Sequence, residues 1–294
     1  MKRTNSENVF NIFNIILITI IGLLCLLPVL NVLAISLSNS MAVNRNEVAF
    51  IPVGFSLKAY NFLLESTRFW RAGFITVQRV LLGTLINMTL IILCAYPLSK
   101  TKRQFRYRTV YAWFFAFTIL FSGGIIPQFI LILNLGLMDT LWALILPGAL
   151  PVFNMLLMLN FFRAIPVQLE EAAIIDGAGQ FRVLTQVYMP CSLPALAAIT
   201  LFCIVGHWNA WFDGIIYSNR LESYPLQSYL QTIIVGLQLM QNEMSVERII
   251  LMSELSDRTI RCAQIIIAII PIACVYPWLQ RYFVTGIVLG SVKE

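Results

Sequence analysis

The single histidine, His207, lies in Gly206-His207-Trp208-Asn209-Ala210-Trp211-Phe212-Asp213-Gly214, an island of polar and aromatic residues at the end of an apolar run. One histidine is too few for a His-based metal cluster or a nucleophile–histidine triad, so neither catalytic nor metal-ligating residues are expected. No G-x-x-x-x-G-K-[ST] phosphate loop occurs, and no βαβ pattern that could carry one. His207 itself reads as a satisfied polar residue or helix contact. What the island offers is recognition. Asn209 and Asp213 can hydrogen-bond hydroxyls, and Trp208 and Phe212 add flat aromatic faces, the groups that a passing sugar would need. On one continuous helix Asn209 and Asp213 share a face and Trp208 and Phe212 form a strip beside it. An interfacial aromatic belt that only packs fits the same residues, so both readings stay open. Asn87 and Asn154, with Gln128 and Asn160, are polar residues inside other apolar runs that could line a path or tie helices together.

A second informative stretch spans 163–194. It reads Glu171-Ala172-Ala173-Ile174-Ile175-Asp176-Gly177-Ala178 and later Pro190-Cys191-Ser192-Leu193-Pro194. Pro166 suits the beginning of a short helix, and Glu170 and Glu171 suit the positive end of its dipole. Ala172, Ala173, Gly177 and Ala178 would strip one side of bulk so that it can press against another protein. Gly177 permits a sharp turn into a second short helix, and Pro190 and Pro194 fix the start of the next long one. A loop that merely joins two spans in solvent has no need of such spacing.

The elements that must position these residues follow from composition. Of 294 residues, 59% are apolar and 12% charged, which places the chain among integral membrane proteins. At about 20 apolar residues per span, apolar runs fall near 10–37, 72–98, 110–133, 141–162, 195–216 and 262–288. The expected fold is therefore all-α, a bundle of six transmembrane helices with no separate soluble domain. Its parts are a first helix and extracytoplasmic segment over 1–71, a membrane domain over 72–288 and a cytoplasmic tail over 289–294. Bends are expected at Gly123-Gly124 with Pro127, at Pro147 and Pro151, and at Pro271 and Pro277. The first apolar run is longer than the about 7 to 15 residues of a signal-peptide core, so it reads as an uncleaved helix. Cys25, Cys94, Cys191, Cys203, Cys262 and Cys274 form no CxxC pair and read as small buried residues. Lys100, Lys102, Arg103, Arg106 and Arg108 crowd one short connection without an acid, which puts that connection, the 163–194 loop and both termini in the cytoplasm.

The 171–194 stretch resembles the EAA loop of ABC importer permeases: Glu171, Ala172, Ala173, Asp176, Gly177, Ala178, Pro190 and Pro194 match it one by one. The segments Gly54-Phe55-Ser56-Leu57-Lys58-Ala59-Tyr60, 206–214, Tyr224-Pro225-Leu226-Gln227, Gln280-Arg281-Tyr282-Phe283-Val284-Thr285-Gly286 and Gly290-Ser291-Val292-Lys293 are similar to its sugar-permease branch. Within that branch the 206–214 island is most like permeases of complex oligosaccharides, a group that includes an alginate importer subunit. The resemblance implies the MetI-like fold of type I importers and a loop that docks as a coupling helix on an ATP-binding partner. It further implies two such ATPase subunits carrying ATP and Mg, no cofactor on this chain, and a second permease subunit that is a different chain. An extracytoplasmic solute-binding protein, an oligosaccharide substrate and a bacterial inner-membrane location complete the expectation; nucleic acid has no place in it. Within the importer class a permease for peptides, amino acids or anions is the alternative. Outside it stands a secondary transporter, which would show inverted repeats and coupling acids in midmembrane.

Overall fold

The computed structural model describes residues 5–239 and 256–291, with the backbone alone at 5–9, 233–239 and 278–291. All regular elements among the described residues are helical. In chain order they are α1 (Asn5–Ser36), α2 (Ser40–Asn44), α3 (Lys58–Leu64), α4 (Thr67–Ser99), α5 (Arg108–Leu120), α6 (Ile125–Asn134), α7 (Leu141–Ile145) and α8 (Val152–Ala164). There follow α9 (Val167–Ile175), α10 (Gln180–Val183), a π-turn (Leu184–Tyr188), α11 (Met189–Cys191), α12 (Leu193–Asn209), α13 (Phe212–Tyr217), α14 (Leu226–Leu239) and α15 (Asp257–Ser291).

Among the described residues three stretches are by themselves long and apolar enough to cross a bilayer: Phe10–Ser36, Thr67–Ser99 and Asp257–Pro277. Counting each bent pair as one span raises the number to six: α5 with α6 at 109°, Leu141–Gly148 with α8 at 48°, and Gln180–Cys191 with α12 at 85°. The first bend falls at the glycine pair, where Gly124 takes φ +86, a left-handed value that side chains avoid. The second follows the 3-10 turn Leu146–Gly148 and ends at Pro151, where proline has no amide to continue the ladder.

The bend expected at Gly123-Gly124 divides the run 110–133, and α5 alone reaches only about 20 Å of a hydrocarbon core about 30 Å thick. At Pro271 and Pro277 α15 runs on through both residues. A proline removes one helical hydrogen bond, and a long helix can absorb that loss as a bend.

The chain groups into two compact units, 1–67 with 232–271 and 68–231 with 272–294. In the first, Ala34 and Ile35 at the end of α1 pack with Ala42, Val43, Val48 and Cys262, while Ala59 and Leu63 of α3 pack with Ile260 and Ala263. Asn39 caps α2 by accepting from Met41 N at 3.1 Å. Further up α1, Phe10, Phe13, Ile15, Leu23 and Leu24 are all more than half exposed. In water that face would be an aggregation patch. In lipid it carries no penalty, because the tails are as apolar as leucine and the helix satisfies its own backbone.

The second unit is built on a core of Ile91, Ala95 and Leu98 from α4, Met155, Met158, Leu159 and Phe162 from α8, and Ala195, Ile199 and Cys203 from α12, closed below by Val183 and Leu184. Tyr96, Phe162 and Tyr188 meet edge to face inside it, with centroids 5.0 to 6.4 Å apart. All six cysteines are free thiols, but only Cys203 and Cys262 are buried; Cys25, Cys191 and Cys274 are exposed. A helix apolar all round gives no sign of which face meets lipid, which is why the expectation of six buried cysteines fails.

Candidate functional site

The 163–194 loop begins, as expected, with a helix after Pro166, which occupies the N-cap of α9, where the first helical amides lack partners anyway. At its end Gly177 N donates to Ile174 O at 3.0 Å and Ala178 N donates to Ala173 O at 2.9 Å. With Gly177 at φ +81, these two bonds form the Schellman cap that turns the chain into α10. Pro190 and Pro194 sit in the first turns of α11 and α12.

The four small residues do not share one free side. Ala173 and Ala178 pack against the core of their own unit, whereas Ala172 and Gly177 are exposed along with Glu171 and Asp176. Neighbours on a helix point about 100° apart, so an alanine pair must straddle two faces. The outward face carries bulk instead: Ile175 is 84% exposed and Phe181 74%.

Beneath α9 lies a group that the sequence did not single out. Glu170, for which the sequence suggests only a place at the positive end of the helix dipole, is 3% exposed, and its Oε1 stands 2.8 Å from Lys100 Nζ. Its Oε2 accepts from the Tyr188 hydroxyl at 2.6 Å, and Gln104 Nε2 donates to Oε1 at 3.3 Å. The ammonium also lies 4.0 Å from the Tyr96 ring centroid and 4.2 Å from that of Tyr188. Its contact with Glu170 is an ion pair more than a directed hydrogen bond, since Nζ lacks a well-aligned acceptor. Burial lowers the Lys100 pKa, and the attraction of Glu170 opposes that without cancelling it. The signal available in the sequence was a lysine next to the end of an apolar run, set apart from the more exposed cations that follow it.

Inside the same unit is a cavity of about 440 Å³ lined by Arg79, Asn87, Gln128, Asn154, His207 and Asp213 among others. Asn87 Nδ2 donates to Gly83 O at 2.8 Å and to Ala149 O at 3.2 Å, and His207 Nε2 donates to its Oδ1 at 3.2 Å, with the carboxamide oriented to satisfy both of its atoms. Gly83 is required there, since a Cβ would come within 2.6 Å of the imidazole Cε1. Asn154 Nδ2 donates to Cys203 Sγ at 3.6 Å. At the cavity wall Arg79 grips Asp213 through both terminal nitrogens and donates further to Ala210 O and Leu144 O, each at 3.3 Å. Counting about 1.5 Å per residue from Ser99 puts Arg79 roughly 30 Å from the end of α4 nearer the 163–194 loop, the thickness of the hydrocarbon.

Of the expected path residues, Asn87, Asn154 and Asp213 therefore meet at one cavity. Trp208 is buried away from it, and Asn209 and Phe212 are exposed. Asn209 and Asp213 do not share a helix face: α12 stops at Asn209, Ala210 is extended and α13 starts at Phe212. The carbonyls released by that break are held by Arg79, on Ala210 O, and by Ser228 Oγ, which donates to Trp211 O at 2.5 Å. Arg79 had a visible signal, an arginine within an apolar run with an acid in another, since such charges must find each other. The segments from 280 onward that resembled sugar permeases, and the tail over 289–294, have their side chains outside the described residues.

The family model for the binding-protein-dependent transport system inner membrane component matches residues 87–288. The chain belongs to that family. This permease is 38% identical over 262 residues to the polygalacturonan/rhamnogalacturonan transport system permease protein YtcP of Bacillus subtilis, covering 89% of this chain and 90% of that one. It is 34% identical to Protein LplC of the same organism, over 89% of this chain and 87% of the other. Among solved structures it matches a chain of a bacterial ABC transporter involved in the import of the acidic polysaccharide alginate, with TM-score 0.83 and 34% identity, covering 96% and 99% of the two chains.

In this permease Gly177→Ala should destabilise the turn after α9 by about 1–2 kcal/mol, the strain of a left-handed residue that bears a side chain. A clash cannot be the cause, because a Cβ there meets nothing within 4 Å. Gly177→Val should cost more, since branching tightens the allowed backbone. Faster limited proteolysis between α9 and α10 reads the effect. Wild-type protease resistance in both variants would show that the glycine is dispensable.

Proposed function

We propose that this permease carries an oligosaccharide, of the kind released from acidic polysaccharides, across the bacterial inner membrane. The observation that carries the reading is the cavity, whose wall offers the carboxamides of Asn87, Gln128 and Asn154 and the imidazole of His207 rather than a net charge. Arg79 and Asp213 cancel one another. Neutral donors and acceptors in that number suit a hydroxyl-rich ligand, and the names of the relatives given above point the same way. Trp208, Asn209 and Phe212, near the break between α12 and α13, are assigned to the approach to the cavity rather than to its wall.

In this reading both termini and the loops 100–108 and 163–194 face the cytoplasm, where Glu171, Ala172, Asp176 and Gly177 present the docking surface. Two ATP-binding subunits, each with ATP and Mg, take up that surface on this chain and on a second, different permease chain. A solute-binding protein delivers the sugar from outside, and hydrolysis on the partners swings access from one side of the membrane to the other. No cofactor is assigned to this chain.

Uptake into vesicles bearing the complex and its binding protein should be measured with galacturonan, alginate, neutral glucan and peptide fragments of matched length. ATP-dependent uptake of at least one saccharide, and none of the peptides, is the expected result. Peptide uptake would replace the reading, and saccharide uptake driven by an ion gradient without ATP would end it.

A further inference from the structure

Three segments far apart in sequence converge on the Glu170 carboxylate: the inner end of α4 with Lys100, Tyr96 and Gln104, helix α9 itself, and the π-turn before α12 with Tyr188. Gln180, at the head of α10, joins by accepting from the Tyr96 hydroxyl at 2.8 Å through Oε1 and at 3.2 Å through its backbone carbonyl. This box and the small contacts of Ala173 and Ala178 with the core hold α9 from beneath.

A buried ion pair is a poor source of stability, because desolvating both ions consumes most of what their attraction returns. Two apolar side chains of similar volume would hold the same elements together at least as firmly. They would not hold them in one register, since apolar faces slide. An ammonium wedged against two ring faces and one carboxylate oxygen, with the second oxygen taken by a tyrosine hydroxyl, has one favourable placement. Two of the helices so registered also contribute to the cavity wall: Arg79 and Asn87 stand on α4, and Cys203, Gly206 and His207 on α12. Tyr188 closes a π-turn, a local strain that often marks a working joint.

We propose that Lys100, Glu170 and Tyr188 form the rigid joint through which movement of α9 is passed to α4 and α12, making them positioning residues for transport. The proposal rests on the reading of 163–194 as an ATPase dock. Without the joint α9 still docks, because its outward face is untouched, but it rocks without shifting the cavity walls. Hydrolysis then runs without the change of access.

The test uses the whole complex, with the six cysteines replaced by serine and Phe202→Cys as a reporter in the cavity wall. Labelling from outside by a membrane-impermeant maleimide is compared with and without ATP and vanadate, alongside ATP hydrolysis and the amount of ATPase retained. In the reporter background trapping should change labelling at least about fivefold, the lower end of a typical coupling factor. Lys100→Met with Glu170→Gln removes the pair without leaving a buried charge. That double variant should keep the ATPase and its hydrolysis and lose the labelling response. A response of full size would overturn the proposal. Should the double variant fail to assemble, Tyr188→Phe decides, since it keeps the ring and removes only the hydroxyl bond to Glu170. A labelling response per ATP hydrolysed reduced by half or more supports the joint, and an unchanged one overturns it. Absence of any ATP-hydrolysing subunit from the reporter complex before these changes would remove the docking reading and the joint together.

Discussion

Asp213→Ala should cost this permease about 3–5 kcal/mol, the usual result of stripping a buried ion of its partner. The Arg79 side chain is 3% exposed and cannot turn to water. Its remaining acceptors, Ala210 O and Leu144 O at 3.3 Å, are long bonds to neutral groups, and its Nε already lacks an acceptor. The loss should appear as less assembled complex and a lower thermal midpoint in detergent. Replacing both residues, as Arg79→Leu with Asp213→Leu, should recover most of it, so the double-mutant cycle should show coupling of several kcal/mol. A wild-type midpoint for Asp213→Ala alone would mean that the arginine is solvated and the pair superficial. Uptake must therefore be counted per assembled complex. Asp213→Asn keeps the shape and leaves Arg79 a net cation at the cavity wall, which should favour acidic over neutral oligosaccharides. An unchanged preference would confine the pair to a structural role.

The spans were legible because an uninterrupted apolar run of about 20 residues has few other uses. The bends at Gly124 and Pro151 were legible for a similar reason: the first residue takes a left-handed backbone, and the second lacks the amide that a continuing helix needs. The break at Ala210 was not. No glycine or proline stands between Asn209 and Phe212, and what keeps the helix open there is a guanidinium from α4 and a hydroxyl from α14, both distant in sequence. Tertiary donors can end a helix where its own residues would continue it. The same contact took Asp213 away from Asn209 and gave it to Arg79, so the pairing read from i, i+4 spacing failed together with the helix that it assumed.

In the 163–194 loop the turn at Gly177 was legible and the rotation of α9 was not. Glu170 and Glu171 are identical neighbours, yet one is buried against Lys100 and the other is exposed. With the two acids about 100° apart on the helix, their roles depend on rotational phase. That phase is set by Ala173 and Ala178 against the core, a contact between segments that no local pattern states. Ile175 and Phe181 escaped notice for the complementary reason. In a chain so apolar, two more apolar residues look like core until a structure shows them facing outward.

That exposure sets the largest effect expected at the proposed docking surface. Phe181→Ala should weaken retention of the ATP-binding subunit by about 2 kcal/mol or more, roughly thirtyfold, as truncation of a central aromatic anchor does. Phe181 is 74% exposed and Ile175 84% on the side proposed to face the cytoplasm, where lipid does not cover them. Side chains so exposed contribute little to folding, so the permease itself should lose no more than about 0.5 kcal/mol. Glu171→Lys acts differently, by setting like charges together at the rim of the dock. It should slow association, make it less sensitive to salt, and lower uptake per complex, while the membrane bundle stays intact. Association and dissociation rates of the purified subunits at two salt concentrations separate the two effects. If Phe181→Ala releases the ATPase no faster than wild type, the aromatic is not an anchor. If either variant disappears from the membrane, its side chain serves the fold, and the outward face of α9 and α10 is not where the partner is held.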